Sequence, residues 1–353
     1  MEFSRDDTKL VKAIAVILML FHHLFAFSYN IMPPNNYISL FNIFGNDIEF
    51  WIGIFGDVCI SIFTFIGGYG TYKACSNTKK WQMLKKIFDK IVKIYFVYWT
   101  VFIIFISFGI IFKLPFVCNN ITDFWGNFWG LTFTYNKEWW FLTPYILLLI
   151  IFPLLKLLIK KTPFLFDLIL IFIINHIIYF KIPSLIDYNL LGPDKPLNNL
   201  VTALNLLPCF MMGCLIAKWD LLSKIKNKFL NNFIFKVISI IMFILLIFIR
   251  NKYGDSYDFL YAFIISICTI LIFDRRNVIK EVLVSIGKES TIIWLTHTLY
   301  CYYICQNIVY FPKISIVIVI WLLIMCYLTS ITIKILIKKI EKLVSITIAH
   351  IKK

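Results

Sequence analysis

Residues 9–29 read KLVKAIAVILMLFHHLFAFSY, an apolar run with Lys12 near its start and the pair His22-His23 far along it. About 20 such residues cross the hydrocarbon core of a bilayer. An ionisable side chain inside a spanning helix is costly, and by default it marks a site. Lys12 and His23 are eleven residues apart. In a helix that separation is about 1100°, three turns plus about 20°, with a rise of about 16 Å. The two therefore share a face, with Lys12 at the membrane boundary and His23 near mid-depth. His22 points about 100° away, toward different surroundings. A lysine at a helix end snorkels without needing a further role. A histidine inside hydrocarbon and aligned with a cation reads as a functional group.

The rest of the chain repeats the apolar pattern. Its 353 residues are 60% hydrophobic, with mean hydropathy +0.83. This predicts an all-α, polytopic membrane bundle forming a single domain over residues 1–353. Apolar runs place about ten spans, at 10–30, 50–72, 93–113, 139–159, 164–181, 200–217, 233–249, 257–273, 290–311 and 314–337. The first is too long for a cleaved signal peptide and has no small-residue cleavage site after it, so it is expected to remain in the membrane.

With the N-terminus in the cytosol, 28 of the 35 lysines and arginines fall on the cytosolic side. That asymmetry fits the positive-inside rule and puts both termini in the cytosol. It also accounts for the net charge of +16, so nucleic acid is not expected as a partner. The protein is expected to be multi-pass in the cell membrane, with lipid as its surroundings.

Between the spans, 31–49 and 182–199 read as irregular outer loops, and the tryptophan-rich stretch from Phe124 as a segment at the outer headgroup level. Residues 338–353 read as a basic amphipathic tail helix on the membrane surface. The nine cysteines include no CxxC pair and read as packing residues. No metal site is expected. Gly67, Gly68 and Gly70 end a spanning helix and read as close-approach positions rather than a nucleotide loop.

Several segments together resemble the acyltransferase-3 family, integral-membrane enzymes that transfer acetyl or other acyl groups to glycans. KAIAVILMLFHH is similar to the family's first helix, with Lys12 in the position of an arginine and His23 in that of the family histidine. DVCISIFTFIGGYGTYKA from Asp57 resembles its second helix, and Lys90-Ile-Val-Lys93 its Arg-x-x-Arg pattern. EWWFL at 138–142, LPCFMMGCLIAK at 207–218 and GKESTIIWLTHTL at 287–299, which contains His297, follow in family order. Lysine replaces arginine throughout; it holds phosphate as a point charge without arginine's planar fork.

The resemblance implies a membrane O-acyltransferase that takes cytosolic acetyl-CoA as its acyl-donor substrate, with no bound cofactor. Its acceptor would be a cell-surface or exported polysaccharide, as in a capsule or exopolysaccharide, or the lipid-linked glycan precursor. His23 would be the general base or the acyl carrier. Lys12 and Asp57 are catalytic candidates beside it, and Lys12, with Lys85, Lys86, Lys90 and Lys93, would hold the donor's phosphates. Other residues carry two readings each. Asp57 either orients a histidine or binds a sugar hydroxyl inside its span, or precedes the span. Glu138 with Trp139 and Trp140 is either a carbohydrate-binding group or part of the interfacial aromatic belt. His297 either contacts the donor or hydrogen-bonds a neighbouring helix, and His176 reads as packing. The rival function is a transporter or a flippase of a lipid-linked glycan, which would also place ionisable groups at depth.

Overall fold

The computed structural model describes residues 3–351 except 118, 119, 160, 182–194, 274 and 276, with side chains as far as Lys342. Most of the expected 182–199 loop, Cys118 and the counted charges Lys160, Arg276, Lys352 and Lys353 lie outside the described residues. The chain is helical almost throughout. In order it forms α1 (Arg5–Phe25), α2 (Ile48–Gly56), α3 (Cys59–Cys75), α4 (Lys80–Ile111), α5 (Ile121–Phe128), α6 (Leu142–Ile159) and α7 (Phe164–Phe180). There follow α8 (Pro196–Lys218), α9 (Leu221–Phe229), α10 (Phe233–Tyr253), α11 (Asp258–Ile272), α12 (Val278–Thr298), α13 (Gln306–Val309) and α14 (Ser315–Ile351). A 3-10 turn, Lys137–Phe141, leads into α6, and a π-helical turn, Leu299–Ile304, continues α12. The strands β1 (Asn42–Ile43) and β2 (Asn46–Asp47) form a small hairpin in the first outer loop.

Among the described residues seven helical segments are long and apolar enough to cross a membrane, and α7 and α11 are shorter apolar helices. The ninth expected span, 290–311, corresponds to the end of α12 and its π turn; the first half of α12 carries Lys280, Glu281, Lys288 and Glu289. Three boundaries differ from the sequence reading. The first helix runs 5–25 rather than 10–30, started by a capping box between Ser4 and Asp7. His23 thus falls in its last turn, nearer the outer end than mid-depth. The second span breaks at Asp57–Val58 into α2 and α3. The tail is a continuation of α14 rather than a separate element, and its side chains from residue 343 lie outside the described residues.

The core gathers around α1, which packs against α2, α3, α11, α12 and α14. Among the described residues three helix crossings are in backbone contact, the third where a Cβ on Gly56 of α2 would strike the Leu18 carbonyl of α1. At the first, a Cβ on Gly68 would strike the Phe210 carbonyl of α8, and one on Gly213 would strike the Phe65 carbonyl of α3. At the second, a Cβ on Gly287 of α12 would strike the Lys9 carbonyl of α1. Apolar lipid gives helices no hydrophobic reason to associate, so close van der Waals packing of this kind carries the association.

Several lysines counted as topology signals also satisfy helix ends, where unpaired carbonyls favour a cation. Lys156, buried on α6, reaches the Cys75 carbonyl at the end of α3, and Lys86 bonds the Ala74 carbonyl at 2.7 Å. Lys218 bonds the Ile159 carbonyl, the Thr162 carbonyl at 2.5 Å and Asp167 at 2.8 Å.

The crossing of α3 and α8 generates a prediction. Gly68→Val or Gly213→Val forces two backbones apart and should cost at least the ~1–3 kcal/mol of ordinary overpacking. Gly70 has open space at its Cβ position, so Gly70→Ala should leave stability unchanged or slightly raised. Thermal unfolding of detergent-solubilised protein checks the ordering, and equal effects at 68 and 70 would contradict the packing assigned here.

Candidate active site

The contact at Gly287 lays α12 beside α1 in parallel, so that ten residues on from Gly287 the side chain of His297 meets His23. Their ring centroids are 4.7 Å apart with the planes tilted by 57°. His297 is fully buried. Its Nδ1 lies 2.7 Å from the Trp294 carbonyl, and its Nε2 has no hydrogen-bond partner among the described residues.

The 3-10 turn at 137–141 is tied onto α12 by three sets of bonds. Trp294 Nε1 donates to the Glu138 carbonyl at 3.2 Å, and Trp139 Nε1 donates to the Leu295 carbonyl at 2.9 Å. Asn136 and Thr298 bond each other through both side-chain atoms of the asparagine, at 3.0 and 3.1 Å. This docking sets a Glu138 carboxylate oxygen 3.9 Å from His23 Nε2, with side-chain exposures of 25% and 12% respectively. The other edge of His23, Nδ1, lies 3.2 Å from the Tyr302 hydroxyl. His22 turns away as its phase requires, with Nδ1 2.9 Å from the Gly53 carbonyl.

Toward the N-terminal ends of the same helices, Lys12 lines a cavity of about 100 Å³ with Gly67, Phe141, Tyr145, Ser290 and Trp294. No carboxylate pairs with Lys12 among the described residues. A second cavity of about 310 Å³ is lined by Lys90, Lys93, Lys288, Lys334 and Glu289, and shares Ile94 and Thr291 with the first. Lys90 is held by neutral groups, with Nζ 2.8 Å from Thr71 Oγ1 and 5.3 Å from the Tyr145 ring centre. Lys334 bonds Glu289 at 2.7 Å. Two adjoining cavities thus lead from a four-lysine mouth to Trp294, whose carbonyl carries His297.

The expected site residues separate into groups. His23, His297 and Glu138 come together at the outer end; Lys12, Lys90 and Lys93 line the inner path. Lys85 is exposed and lines neither cavity, and Lys86 is occupied with the end of α3. The rise of about 16 Å along continuous α1 keeps Lys12 off any atom reacting at His23, so its position fits the donor path rather than the reacting centre. Trp139 is fully buried, with its indole on α12. It therefore positions Glu138 rather than presenting a face to sugar; Trp140 is half-buried.

Asp57 binds Arg250 instead of a histidine, at 3.2 Å, and its side chain is 51% exposed at the break between α2 and α3. Arg250 also forks onto Asp258 at 2.7 and 2.9 Å, and Ser61 donates to Asp258 at 2.7 Å. The sequence reading missed Lys288, Lys334 and Tyr302. Lys288 adjoins the resemblance-bearing Gly287, which was its one available signal; charge counting had assigned both lysines to topology.

A sequence model described as an acyltransferase domain matches residues 7–338, nearly the whole chain, and the chain belongs to the acyltransferase-3 family. No curated protein and no solved structure matches it. Family membership, with the seven apolar spans, makes it a multi-pass membrane acyltransferase.

The arginine cluster bears directly on Asp57. Removing Arg250 with Arg250→Met leaves Asp258 buried and uncompensated, and should cost about 3–5 kcal/mol. Asp57→Asn removes an exposed partner and should cost about 1 kcal/mol or less. Chemical denaturation in mixed micelles measures both; an Asp57→Asn penalty as large as that of Arg250→Met would refute this division.

Proposed function

We propose that this acyltransferase moves an acetyl group from cytosolic acetyl-CoA to a hydroxyl of a cell-surface or exported polysaccharide, or of its lipid-linked precursor. The observation that carries the reading is the placement of His23. Its Nε2 faces Glu138 across 3.9 Å at the outer end of a path whose inner mouth is ringed by lysines. Lys90, Lys93, Lys288 and Lys334 offer point charges to the donor's phosphates. The flexible arm of coenzyme A then runs past Lys12 toward Trp294.

In the chemical step, His23 Nε2 takes the proton of the acceptor hydroxyl as its oxygen attacks the thioester carbonyl carbon. A carbon–oxygen bond forms, the carbon–sulfur bond breaks, and the departing thiolate recovers the proton from His23. Glu138, beside Nε2, steadies the imidazolium while it holds the proton. The same nitrogen also serves the acyl-carrier version, in which it attacks the thioester first and acceptor follows. Release of coenzyme A before acceptor is added distinguishes the two.

The test uses labelled acetyl-CoA, proteoliposomes and a crude surface-glycan acceptor. His23→Ala should lower acceptor-dependent release of coenzyme A by about 10²–10⁴-fold. The double change Lys288→Ala with Lys334→Ala should instead raise KM for acetyl-CoA about tenfold with little change in kcat, and added salt should shrink the difference. Movement of a lipid-linked glycan across the bilayer without thioester consumption would replace this reading with that of a transporter or flippase.

A further inference from the structure

Tyr302 sits on the π-helical turn that follows His297, an irregularity that recurs at functional sites. A tyrosine hydroxyl has one hydrogen to give and two lone pairs to receive. Here the hydrogen is committed. Because α1 ends at Phe25, the His23 carbonyl belongs to the last turn, where carbonyls have no helical donor. Among the described backbone bonds outside helices none reaches it, and the Tyr302 hydroxyl donates to it at 2.7 Å. One lone pair of the hydroxyl accepts from Asn30 Nδ2 at 3.2 Å, and Asn30 is itself held by Gln306 Nε2 on its carbonyl at 2.8 Å. The remaining lone pair faces His23 Nδ1 at 3.2 Å. Only an N–H can complete that contact.

We propose that Tyr302, supported by Asn30, is a positioning residue that locks His23 in the Nδ1–H tautomer and leaves Nε2 bare. The neighbouring imidazole reinforces this. The Trp294 carbonyl can only accept, so His297 also carries its hydrogen on Nδ1 and has no N–H left to donate to His23. The bare His23 Nε2 faces the Glu138 carboxylate across a gap too long for a direct hydrogen bond. With Glu138 ionised, both sides of that gap are acceptors, and the group that fits between them is a donor, such as the hydroxyl of the acceptor. The tautomer follows from the hydrogen-bond count alone; the use of Nε2 as a base rests on the function proposed above.

The test is ring-nitrogen NMR of the full chain in liposomes, labelled with ¹⁵N-histidine, with the His23 signal identified by its loss in His23→Asn. Wild type should show His23 as the single Nδ1–H tautomer, a result that requires no variant of Tyr302. Tyr302→Phe should split the signal between tautomers and lower kcat about tenfold, the scale of one lost hydrogen bond, with KM for acetyl-CoA within about twofold. Tyr300→Phe loses a bond of similar length from the same turn, 2.6 Å to Thr329 on α14, and should leave both tautomer and kcat unchanged. Wild-type His23 protonated on Nε2, or a tautomer unmoved by Tyr302→Phe, would overturn the proposal. A locked tautomer in a protein that never releases coenzyme A would uphold the lock and remove the acyl-transfer reading instead.

Discussion

The backbone contact between α1 and α12 at Gly287 is the constraint on which the site depends. Glycine inside a helix costs about 1 kcal/mol relative to alanine, and here any larger residue would drive its Cβ into the Lys9 carbonyl. Because the two helices touch near their N-terminal ends and run parallel, their C-terminal ends bring His297 against His23. The turn carrying Glu138 is then docked on α12 through Trp139 and Trp294. Lys288, the next residue after Gly287, enters the lysine-lined mouth by the same packing. One small residue thus relates both ends of the path.

Within this frame, the handling of buried charge separates structural groups from functional ones. Asp7 pairs with Lys226 at 2.6 Å, Asp167 with Lys218, Asp258 with Arg250 and Glu289 with Lys334. Lys156 has carbonyls. A bundle in lipid has to satisfy its polar atoms internally, and these groups conform. Lys12 has no acidic partner and His297 Nε2 has no hydrogen bond among the described residues. These two lie on one route, Lys12 in its inner cavity and His297 behind His23, while Thr132 Oγ1, Asn251 Oδ1 and Thr269 Oγ1, buried atoms that also lack a hydrogen-bond partner among the described residues, line neither cavity of it.

What the sequence disclosed follows the range of the physical signals involved. Helical class and the shared face of Lys12 and His23 depend on local apolar composition and on a fixed helical period, and they are legible; against ten expected spans, seven helices among the described residues are long and apolar enough to cross a membrane. The meeting of His23 with His297 depends on which helices touch, 274 residues apart in the chain, and periodicity carries no such information. The sequence reading puts Asp57 inside its span or before it, whereas it stands at the break between α2 and α3; its partner Arg250 comes from α10, so its role could not be read locally. Lys288 and Lys334 were hidden for a different reason: the positive-inside rule explains every cytosolic lysine equally well and does not distinguish one lining a cavity. Tyr302 stood in an apolar aromatic run whose π-helical turn has no sequence signature.

The preference for lysine over arginine has a consequence for how the proposed donor is chosen. A guanidinium fork recognises the planar geometry of a phosphate or carboxylate, whereas ammonium groups on flexible stems respond to charge. A mouth built from four lysines therefore selects a polyanion without fixing its orientation closely. Discrimination must come further along, in the cavity beside Lys12. Its volume is about 100 Å³. Phe141, Tyr145 and Trp294 border that cavity, and on the proposed path they are the side chains that would sense the bulk of the acyl group. In this reading the lysines supply attraction and the aromatic side chains supply selectivity, so losing arginine geometry at the mouth need not relax the choice of acyl group at the histidines.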